Sequence, residues 1–164
     1  MEADNLLKRA ELILDYEFND REILIQALTA AHSIGNDAGR IRFENNKRLA
    51  ALGEVVLKLI LVEIWLRRNE TLGISVRWNL GMKAEERQGT LQDLQIRNLS
   101  NQALATIATQ SGIESCISRS DRQQYLTESA PATLHTAVKA LVGATWIDSG
   151  RDHEKTRRAI ENLR

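Results

Sequence analysis

Residues 49–66, LAALGEVVLKLILVEIWL, carry the strongest structural signal in the chain. Their only charged members are Glu54, Lys58 and Glu63. A helix that is apolar nearly all round is usually the buried centre of its domain. We therefore predict a central helix over about residues 44–68. The charges leave its uncharged pieces too short to span a bilayer, so a membrane protein is excluded.

A second apolar run predicts another buried helix over about residues 133–148. Each of the two runs has a glycine near its middle, Gly53 in the first and Gly143 in the second. Glycine inside a helix costs about 1 kcal/mol relative to alanine. Such a cost indicates that another helix approaches closely at that position.

Apolar residues recur at helical spacing in most of the remaining chain, and no segment alternates with period two. Shorter helices are predicted over residues 6–14, 91–96, 104–112 and 152–163, and one over residues 23–28 is capped by Asn19. Either Ser100 or Asn101 is expected to cap the helix before Gly112. Loops are predicted over residues 34–40, 69–89 and 118–132. The predicted fold class is all-α.

Composition is typical of one globular domain spanning residues 1–164. Hydrophobic residues make up 43% of the chain, and its 22 basic and 22 acidic residues give a net charge of zero. This balance argues against broad nucleic-acid binding, although a neutral total can contain a local basic patch. Cys116 is the only cysteine, which excludes an internal disulfide and favours a small core residue over a nucleophile. Residues 1–5 carry no leader signal, so we expect an intracellular location, in the cytoplasm or an organelle.

Four segments, in order along the chain, resemble the catalytic domain of the ribonuclease III family. They are YEFNDREILIQALT (16–29), NKRLAALGEVVL (46–57), GTLQDLQIRNLSN (89–101), and LHTAVKALVGA (134–144) followed by IDSG (147–150). The second segment is similar to the family signature NERLEFLGDAVL, and the fourth to its acidic helix LADAFEALIGA. The resemblance implies an all-α fold in which two central helices cross closely at Gly53 and Gly143.

The family cuts double-stranded RNA with Mg²⁺ held by four carboxylates, two from each of these helices. Spacings of four and three residues place each pair on one helical face, and Mg²⁺ requires hard oxygen ligands. In this chain the four positions are occupied by Ala50, Glu54, Thr136 and Lys139. Two further acidic positions of the family are Lys47 and Thr90 here. We therefore predict no metal ion and no catalytic residue of the family mechanism.

Because most of the metal-binding carboxylates are missing, we predict that the former metal position is a cleft formed by Glu54, Lys139, Thr136 and Lys47. A carboxylate inside an apolar helix needs a partner, and Lys139 supplies an ammonium at the former metal position. We predict that Glu54 and Lys139 form an ion pair across the helix crossing. In the alternative, both side chains reach solvent in a shallow cleft.

The family dimerises to form one RNA valley across two subunits. An aromatic residue of the signature helix packs into the partner, and Ala51 takes its place here. We still expect a homodimer, or a mixed dimer with a related chain, in an altered geometry. Many members carry a double-stranded RNA-binding domain after the catalytic one, and none is expected in a chain that ends at Arg164.

Three functional hypotheses remain open. The first is an inactive scaffold that binds structured RNA, a ribonucleoprotein or a protein, without a cofactor. The second is a diverged nuclease that holds Mg²⁺ with Glu54 and carboxylates such as Glu85, Glu86 or Asp93. The third is an enzyme that uses the emptied cleft for a small molecule, with Glu54 and Lys139 as acid–base groups. The third hypothesis predicts an enclosed apolar pocket beside the pair.

The remaining chemically interesting side chains give weak signals. The three histidines, at positions 32, 135 and 153, lack metal-ligand spacing. The three tryptophans are interpreted as core or interface anchors, with Trp78 the most plausible partner contact. The paired arginines at residues 67–68 and 157–158 are interpreted as solubilising surface groups.

Overall fold

The computed structural model describes residues 2–30, 46–69, 91–118 and 131–163. These ranges form seven α-helices and one 3₁₀ helix, and they contain no β-strand. The α-helices are α1 (Glu2–Leu14), α2 (Arg21–Leu28), α3 (Lys47–Asn69), α4 (Leu91–Leu99), α5 (Asn101–Gln110), α6 (Pro131–Asp148) and α7 (His153–Asn162). The predicted all-α class is confirmed. None of the described helices has the length and apolar character needed to cross a membrane.

The helix starts follow local hydrogen-bonding chemistry. Asp20 caps α2 by accepting a hydrogen bond from the Glu22 amide at 2.9 Å, so the predicted Asn19 cap is wrong. Ser100 caps α5 by accepting from the amide of Ala103 at 3.2 Å. Asp152 caps α7 in the same way. Each cap satisfies an amide that has no partner within its helix.

Helix α6 begins at Pro131, two residues before the predicted start. Proline suits the first helical position, because its ring presets φ and no partner is needed there for an amide hydrogen. Residues 131–132 are therefore helical rather than part of the predicted loop. The predicted loop over residues 69–89 begins one residue too early, because Asn69 is the last residue of α3. The predicted loop over residues 34–40 and residues 44–45 of the predicted α3 lie outside the described residues, as do residues 70–89 and 119–130 of the other two predicted loops.

Helix α6 is the buried centre of the fold. Nine of its residues are buried: Leu134, Ala137, Val138, Ala140, Leu141, Val142, Gly143, Ala144 and Thr145. Helices α2, α3, α5 and α7 all pack against it. The core also includes Cys116, which is 3% exposed. Its pKa is raised by burial, so the thiol is a packing group.

The two central helices meet at the glycines. A methyl group on Gly53 would overlap the backbone carbonyl of Lys139, and one on Gly143 would overlap the carbonyl of Leu49. No side chain fits between the two backbones at these points. The predicted close crossing is confirmed, and it fixes which residues of α3 and α6 can face each other.

The end of α6 holds the connection between α1 and α2 through one carboxylate. Asp148 accepts hydrogen bonds from the Tyr16 hydroxyl at 2.8 Å and from the backbone amides of Asn19 at 3.0 Å and Asp20 at 2.8 Å. The Asn19 side-chain amide is a fourth donor, at 3.2 Å. Asn19 therefore acts as a donor to Asp148, while Asp20, directly before α2, supplies the accepting oxygen of the cap.

Candidate functional site

Glu54 directly follows Gly53 on α3, and Lys139 lies one helical turn before Gly143 on α6. The two side chains meet beside the glycine crossing. The Lys139 ammonium lies 3.1 Å from Glu54 Oε2. The lysine side chain is 13% exposed, whereas that of Glu54 is 43% exposed. The predicted ion pair is therefore present, with a mostly buried lysine side chain and a carboxylate at the surface.

Two further side chains complete this cluster. Asn101, at the start of α5, accepts a hydrogen bond from the Lys139 ammonium at 3.1 Å. Lys58 donates to Glu54 Oε1 at 2.7 Å. We call Glu54, Lys58, Asn101 and Lys139 the Lys139 cluster. Sequence reasoning missed two members, although Lys58 follows Glu54 by four residues, a spacing that places both on one helical face.

The Lys139 cluster carries more positive than negative charge. Hydrogen bonds from Lys58 and from Lys139 hold the pKa of Glu54 below its usual range, so the carboxylate is ionised at neutral pH. Two ammonium groups then face one carboxylate, and both carboxylate oxygens already accept from a cation. The described residues contain no group of three His, Cys, Asp or Glu side chains able to hold a metal ion.

The other residues predicted for the cleft lie outside these hydrogen bonds. Ala50 is buried, at 7% exposure. The hydroxyl of Thr136 donates to the carbonyl of Ala132 at 2.7 Å, a bond within its own helix. Lys47 is exposed at the start of α3 and is not among the cations that act on Glu54.

A groove of about 840 Å³ runs along α5 and the first turns of α6. Its lining is mixed, with amides, hydroxyls and apolar groups: Asn101, Gln102, Ala105, Thr106, Thr109, Gln110, Glu114, Pro131, Ala132, Leu134 and His135. Burial and the nearby Lys139 lower the pKa of His135, against an opposing effect of Glu54. The groove is open and of mixed polarity, unlike the predicted enclosed apolar pocket beside the pair.

An apolar cavity does occur among the described residues, but away from the Lys139 cluster. It lies between α3, α4, α5, α6 and α7 and has a volume of about 30 Å³. This volume accommodates about one water molecule, so the cavity is a gap in packing.

The remaining predicted residues are scattered or undescribed. Trp146 packs partly buried against the core, and Nε2 of His153 lies 2.6 Å from a carboxylate oxygen of Glu63. Arg157 bonds with Glu154 and Glu161 on α7. Among the other predicted positions, the following lie outside the described residues: His32, Trp78, Glu85, Glu86 and Thr90.

Comparisons with known proteins agree with this helical arrangement. A family model described as "Ribonuclease-III-like" matches residues 20–162. A Ribonuclease 3 from Fusobacterium nucleatum is 28% identical over 144 residues, which cover 87% of this chain and 55% of the relative. One from Campylobacter jejuni is 26% identical over 151 residues, which cover 92% of this chain and 58% of the relative. The chain thus spans a little over half the length of these relatives.

Solved structures give the same result for the fold. A crystal structure of the ribonuclease III nuclease domain from Campylobacter jejuni matches with a TM-score of 0.72 and 24% identity, over 95% of this chain and 92% of that one. A second structure of that nuclease domain, described as flexible in a region involved in dimer formation, has a TM-score of 0.69 and 26% identity, over 94% and 96% of the two chains. Since the family model covers most of the sequence, this chain belongs to the ribonuclease III-like family.

Proposed function

We propose that this chain is a catalytically inactive ribonuclease III-like domain that acts as a dimeric scaffold for structured RNA or a ribonucleoprotein. The observation that carries the proposal is the ion pair of Lys139 with Glu54 at 3.1 Å. By the sequence resemblance, both residues occupy positions where active members hold Mg²⁺. An ammonium now lies where the metal mechanism needs a cation.

The charge balance supports inactivity. A divalent cation entering the Lys139 cluster would face two ammonium groups, those of Lys58 and Lys139. It would find one carboxylate, that of Glu54, which already pairs with both ammonium groups. At about 4 Å and an effective dielectric constant near 20, two unit charges repel by about 4 kcal/mol and a divalent ion doubles that value. Solvent screens part of this repulsion, because the Lys58 side chain is 50% exposed. The hard oxygen ligands that Mg²⁺ prefers are reduced to Glu54 and the amide of Asn101.

The RNA part of the proposal rests on the family and on local charge. The relatives are named as ribonucleases. Lys47, Arg48 and Lys58 are exposed along the first half of α3, the helix that carries Glu54. Because the net charge of the chain is zero, we expect modest affinity that falls steeply with added salt.

The dimer part rests on an exposed apolar stripe of α3, formed by Ala51, Val55, Leu59 and Leu66. Val55 is 63% exposed, Leu59 43% and Leu66 45%. A line of exposed apolar residues on one helix face is typical of an interaction surface. The nuclease domain from Campylobacter jejuni is described as having a region involved in dimer formation. A second copy of this chain is therefore the proposed occupant.

The test follows the fluorescence anisotropy of a labelled RNA duplex over time, in Mg²⁺ and in EDTA. The proposal predicts a stable rise that is equal in both buffers and declines with salt. A slow fall below the starting value in Mg²⁺ alone would mean cleavage and would overturn inactivity. No rise in either buffer would overturn the RNA part.

A restored variant provides the matched control for the metal argument. It combines Ala50→Glu, Glu54→Asp, Thr136→Asp and Lys139→Glu, which returns carboxylates to all four positions. Mg²⁺ should raise the melting temperature of this variant, because an ion that binds only the folded state stabilises it. The melting temperature of the original chain should not respond, and an equal rise would contradict the proposal.

The groove favours a second candidate, an enzyme acting on a small molecule. Asn101 lines the groove and accepts a hydrogen bond from the Lys139 ammonium, so a ligand at that end of the groove would lie next to the cluster. Glu54 and Lys139 would then supply acid–base groups. Turnover of a bound small molecule by the original chain, lost on Lys139→Met, would favour this candidate over the scaffold.

A further inference from the structure

We propose that an ion pair between His153 and Glu63 makes the association of two copies of this chain pH-dependent, with the dimer favoured when His153 is protonated. The inference rests on the proposed dimer and names its regulation. It combines three features: the exposed apolar stripe of α3, a carboxylate on the same helix face, and a histidine of α7 that can balance the charge of that carboxylate.

Glu63 lies on the face of α3 that carries the stripe. It follows Leu59 by four residues and precedes Leu66 by three, and these spacings make side chains neighbours on a helix surface. Leu59 is 43% exposed and Leu66 is 45% exposed, while the Glu63 side chain is 35% exposed. A second copy that covers the two leucines would therefore also remove water from the Glu63 carboxylate.

His153 is the ion-pair partner of that carboxylate. Its Nε2 atom is closed off from solvent and lies 2.6 Å from Oε2 of Glu63, although the side chain as a whole is 32% exposed. His153 is the first residue of α7, where the positive end of the helix dipole opposes a cation. The negative charge of Glu63 is therefore what favours a protonated ring at this position.

Covering the pair distinguishes the two protonation states of His153. With a neutral imidazole the pair carries a net negative charge, and removing that charge from water is costly. With a protonated imidazole the pair is neutral overall, and the attraction between its members offsets part of the cost. Histidine is the side chain that ordinarily changes charge between pH 5 and pH 8. Because binding equilibria are reciprocal, the dissociation constant of the dimer should fall as the pH falls through this range.

The other charged groups on the helices around the pair keep a constant charge between pH 6 and pH 8. Helices α6 and α1 pack against α7, and α1 contacts its far end, where Asn162 donates to the Leu14 carbonyl. The acidic and basic residues on these elements near the pair are Asp152, Glu154, Lys155, Arg157 and Arg158 on α7 or at its cap, Asp148 on α6, Glu11 on α1, Asp15 just after α1, and Arg67 on α3. Carboxylate, ammonium and guanidinium groups ordinarily titrate outside this range, so His153 is the member of this set that changes charge.

The test is analytical ultracentrifugation of the whole chain at pH 6 and pH 8 at one ionic strength. A partly exposed ion pair changes an equilibrium constant by a few-fold, and a symmetric dimer contains two such pairs. We therefore expect the dissociation constant to be about tenfold lower at pH 6 than at pH 8. Equal constants at the two pH values would overturn the inference and leave the dimer standing. A monomer at both pH values would overturn the dimer and the inference together, so the two failures are distinguishable.

Two variants should change the pH profile in opposite ways. Glu63→Gln keeps the shape of the side chain without its charge, so it should dimerise tightly at both pH values. His153→Gln leaves the Glu63 charge unbalanced, so it should dimerise weakly at both. His135→Gln, which changes a histidine of α6 that lines the groove, is the matched control and should keep the tenfold difference.

The opposite directions guard against a general loss of folding, which circular dichroism would also detect. Both members of the pair are about one-third exposed, so each substitution should leave the fold intact. A pH dependence that persists in Glu63→Gln would overturn the inference. Tight association of His153→Gln at both pH values would also overturn it.

Discussion

Asp148 shows how one carboxylate stabilises a connection. Burial alone would raise its pKa, but hydrogen bonds from the Asp20 amide, the Tyr16 hydroxyl and Asn19 bring it below the usual range. Asp148→Asn removes the charge that these donors share. We expect the free energy of unfolding at pH 7 to fall by about 1.5–3 kcal/mol, the usual range for hydrogen bonds to a charged group.

The pH dependence of that loss follows from the lowered pKa of Asp148. Its contribution is present above the unfolded pKa of about 3.9, and it declines as the pH falls through the lower folded pKa. Urea unfolding from pH 7 to pH 2 should therefore show the original chain and Asp148→Asn converging at the acid end. Asp20→Asn is the control, because asparagine caps a helix as well as aspartate. A constant difference across the series would contradict this role.

Lys139 allows the sign of the charge at the helix crossing to be reversed. Lys139→Glu places a second carboxylate against Glu54 at a mostly buried position. Because the Glu54 carboxylate is 43% exposed, solvent screens part of the new repulsion. We expect a loss of about 1 kcal/mol, which lowers the melting temperature by roughly 2–4 °C. Mg²⁺ should recover part of it by bridging the two carboxylates. Lys155→Glu should show neither effect, and an unchanged melting temperature in Lys139→Glu would refute the prediction.

Sequence reasoning found only part of this residue chemistry. The Glu54–Lys139 pair was predictable because the family resemblance aligns both residues with metal-binding positions on the two crossing helices, and a carboxylate inside an apolar helix needs a partner. Asn101 was interpreted only as a possible cap, since its contact with Lys139 depends on how α5 packs against α6. Asp148 is similar, because its donors lie about 130 residues earlier in the chain. Interactions of this kind depend on tertiary packing.

The glycine crossing is the clearest feature of the elements. Gly53→Ala would overlap the Lys139 carbonyl, and backbone cannot yield as a flexible side chain does. Overpacking usually costs about 1–3 kcal/mol, and overlap with backbone belongs at the upper end. Alanine would return about 1 kcal/mol of helix propensity. We expect a net loss of about 2 kcal/mol or more, measured by thermal or urea unfolding.

A second glycine provides the control for this substitution. Gly150 has a φ of +70° and no atom near the position of an added methyl group. Gly150→Ala should therefore cost only the strain of a left-handed residue, about 1–2 kcal/mol. Its effect should remain confined to the turn after α6. If Gly53→Ala were as stable as the original chain, the close crossing would be wrong.

Element types were easier to predict than element ends. The long apolar runs fix α3 and α6 because the helical period persists over many residues. Helix α6 starts at Pro131, two residues before the predicted start, and α2 is capped by Asp20, one residue after the predicted cap. Such small differences are typical of helix ends, where neighbouring residues can each cap the same amides. The 3₁₀ helix Ile113–Cys116 was not predicted, because one short turn carries no periodic signal.

The fold and the site place different demands on the whole molecule. The fold needs the glycines and the apolar faces of α3 and α6. Helix α6 is buried as the sequence predicts, whereas α3, also predicted to be buried, leaves Val55, Leu59 and Leu66 exposed. A metal site needs several carboxylates on the same two helices. The positions of those carboxylates differ from the positions of the glycines and of the buried apolar residues that the fold needs. A chain can therefore keep this family's fold while the chemistry at the crossing changes. Fold likeness alone does not establish activity.

The exposed stripe of α3 carries the prediction for assembly. Val55 and Leu59 lie one helical turn apart and are 63% and 43% exposed. Val55→Asp combined with Leu59→Glu would place two charges in the proposed contact between copies, where each would lose its hydration. We expect the original chain to sediment as a dimer and this variant as a folded monomer, measured by analytical ultracentrifugation with circular dichroism.

The same kind of substitution at an exposed leucine outside the stripe tests whether the effect is specific to the stripe. Leu12 of α1 is 81% exposed and lies off the stripe, so Leu12→Glu should leave the dimer intact. Ala51 leaves no large anchor beside Val55, and interfaces draw most of their affinity from a few large buried anchors. The dimer should therefore dissociate at micromolar rather than nanomolar concentration. A monomeric original chain, or a dimer unaffected by both stripe charges, would assign that surface to a different partner.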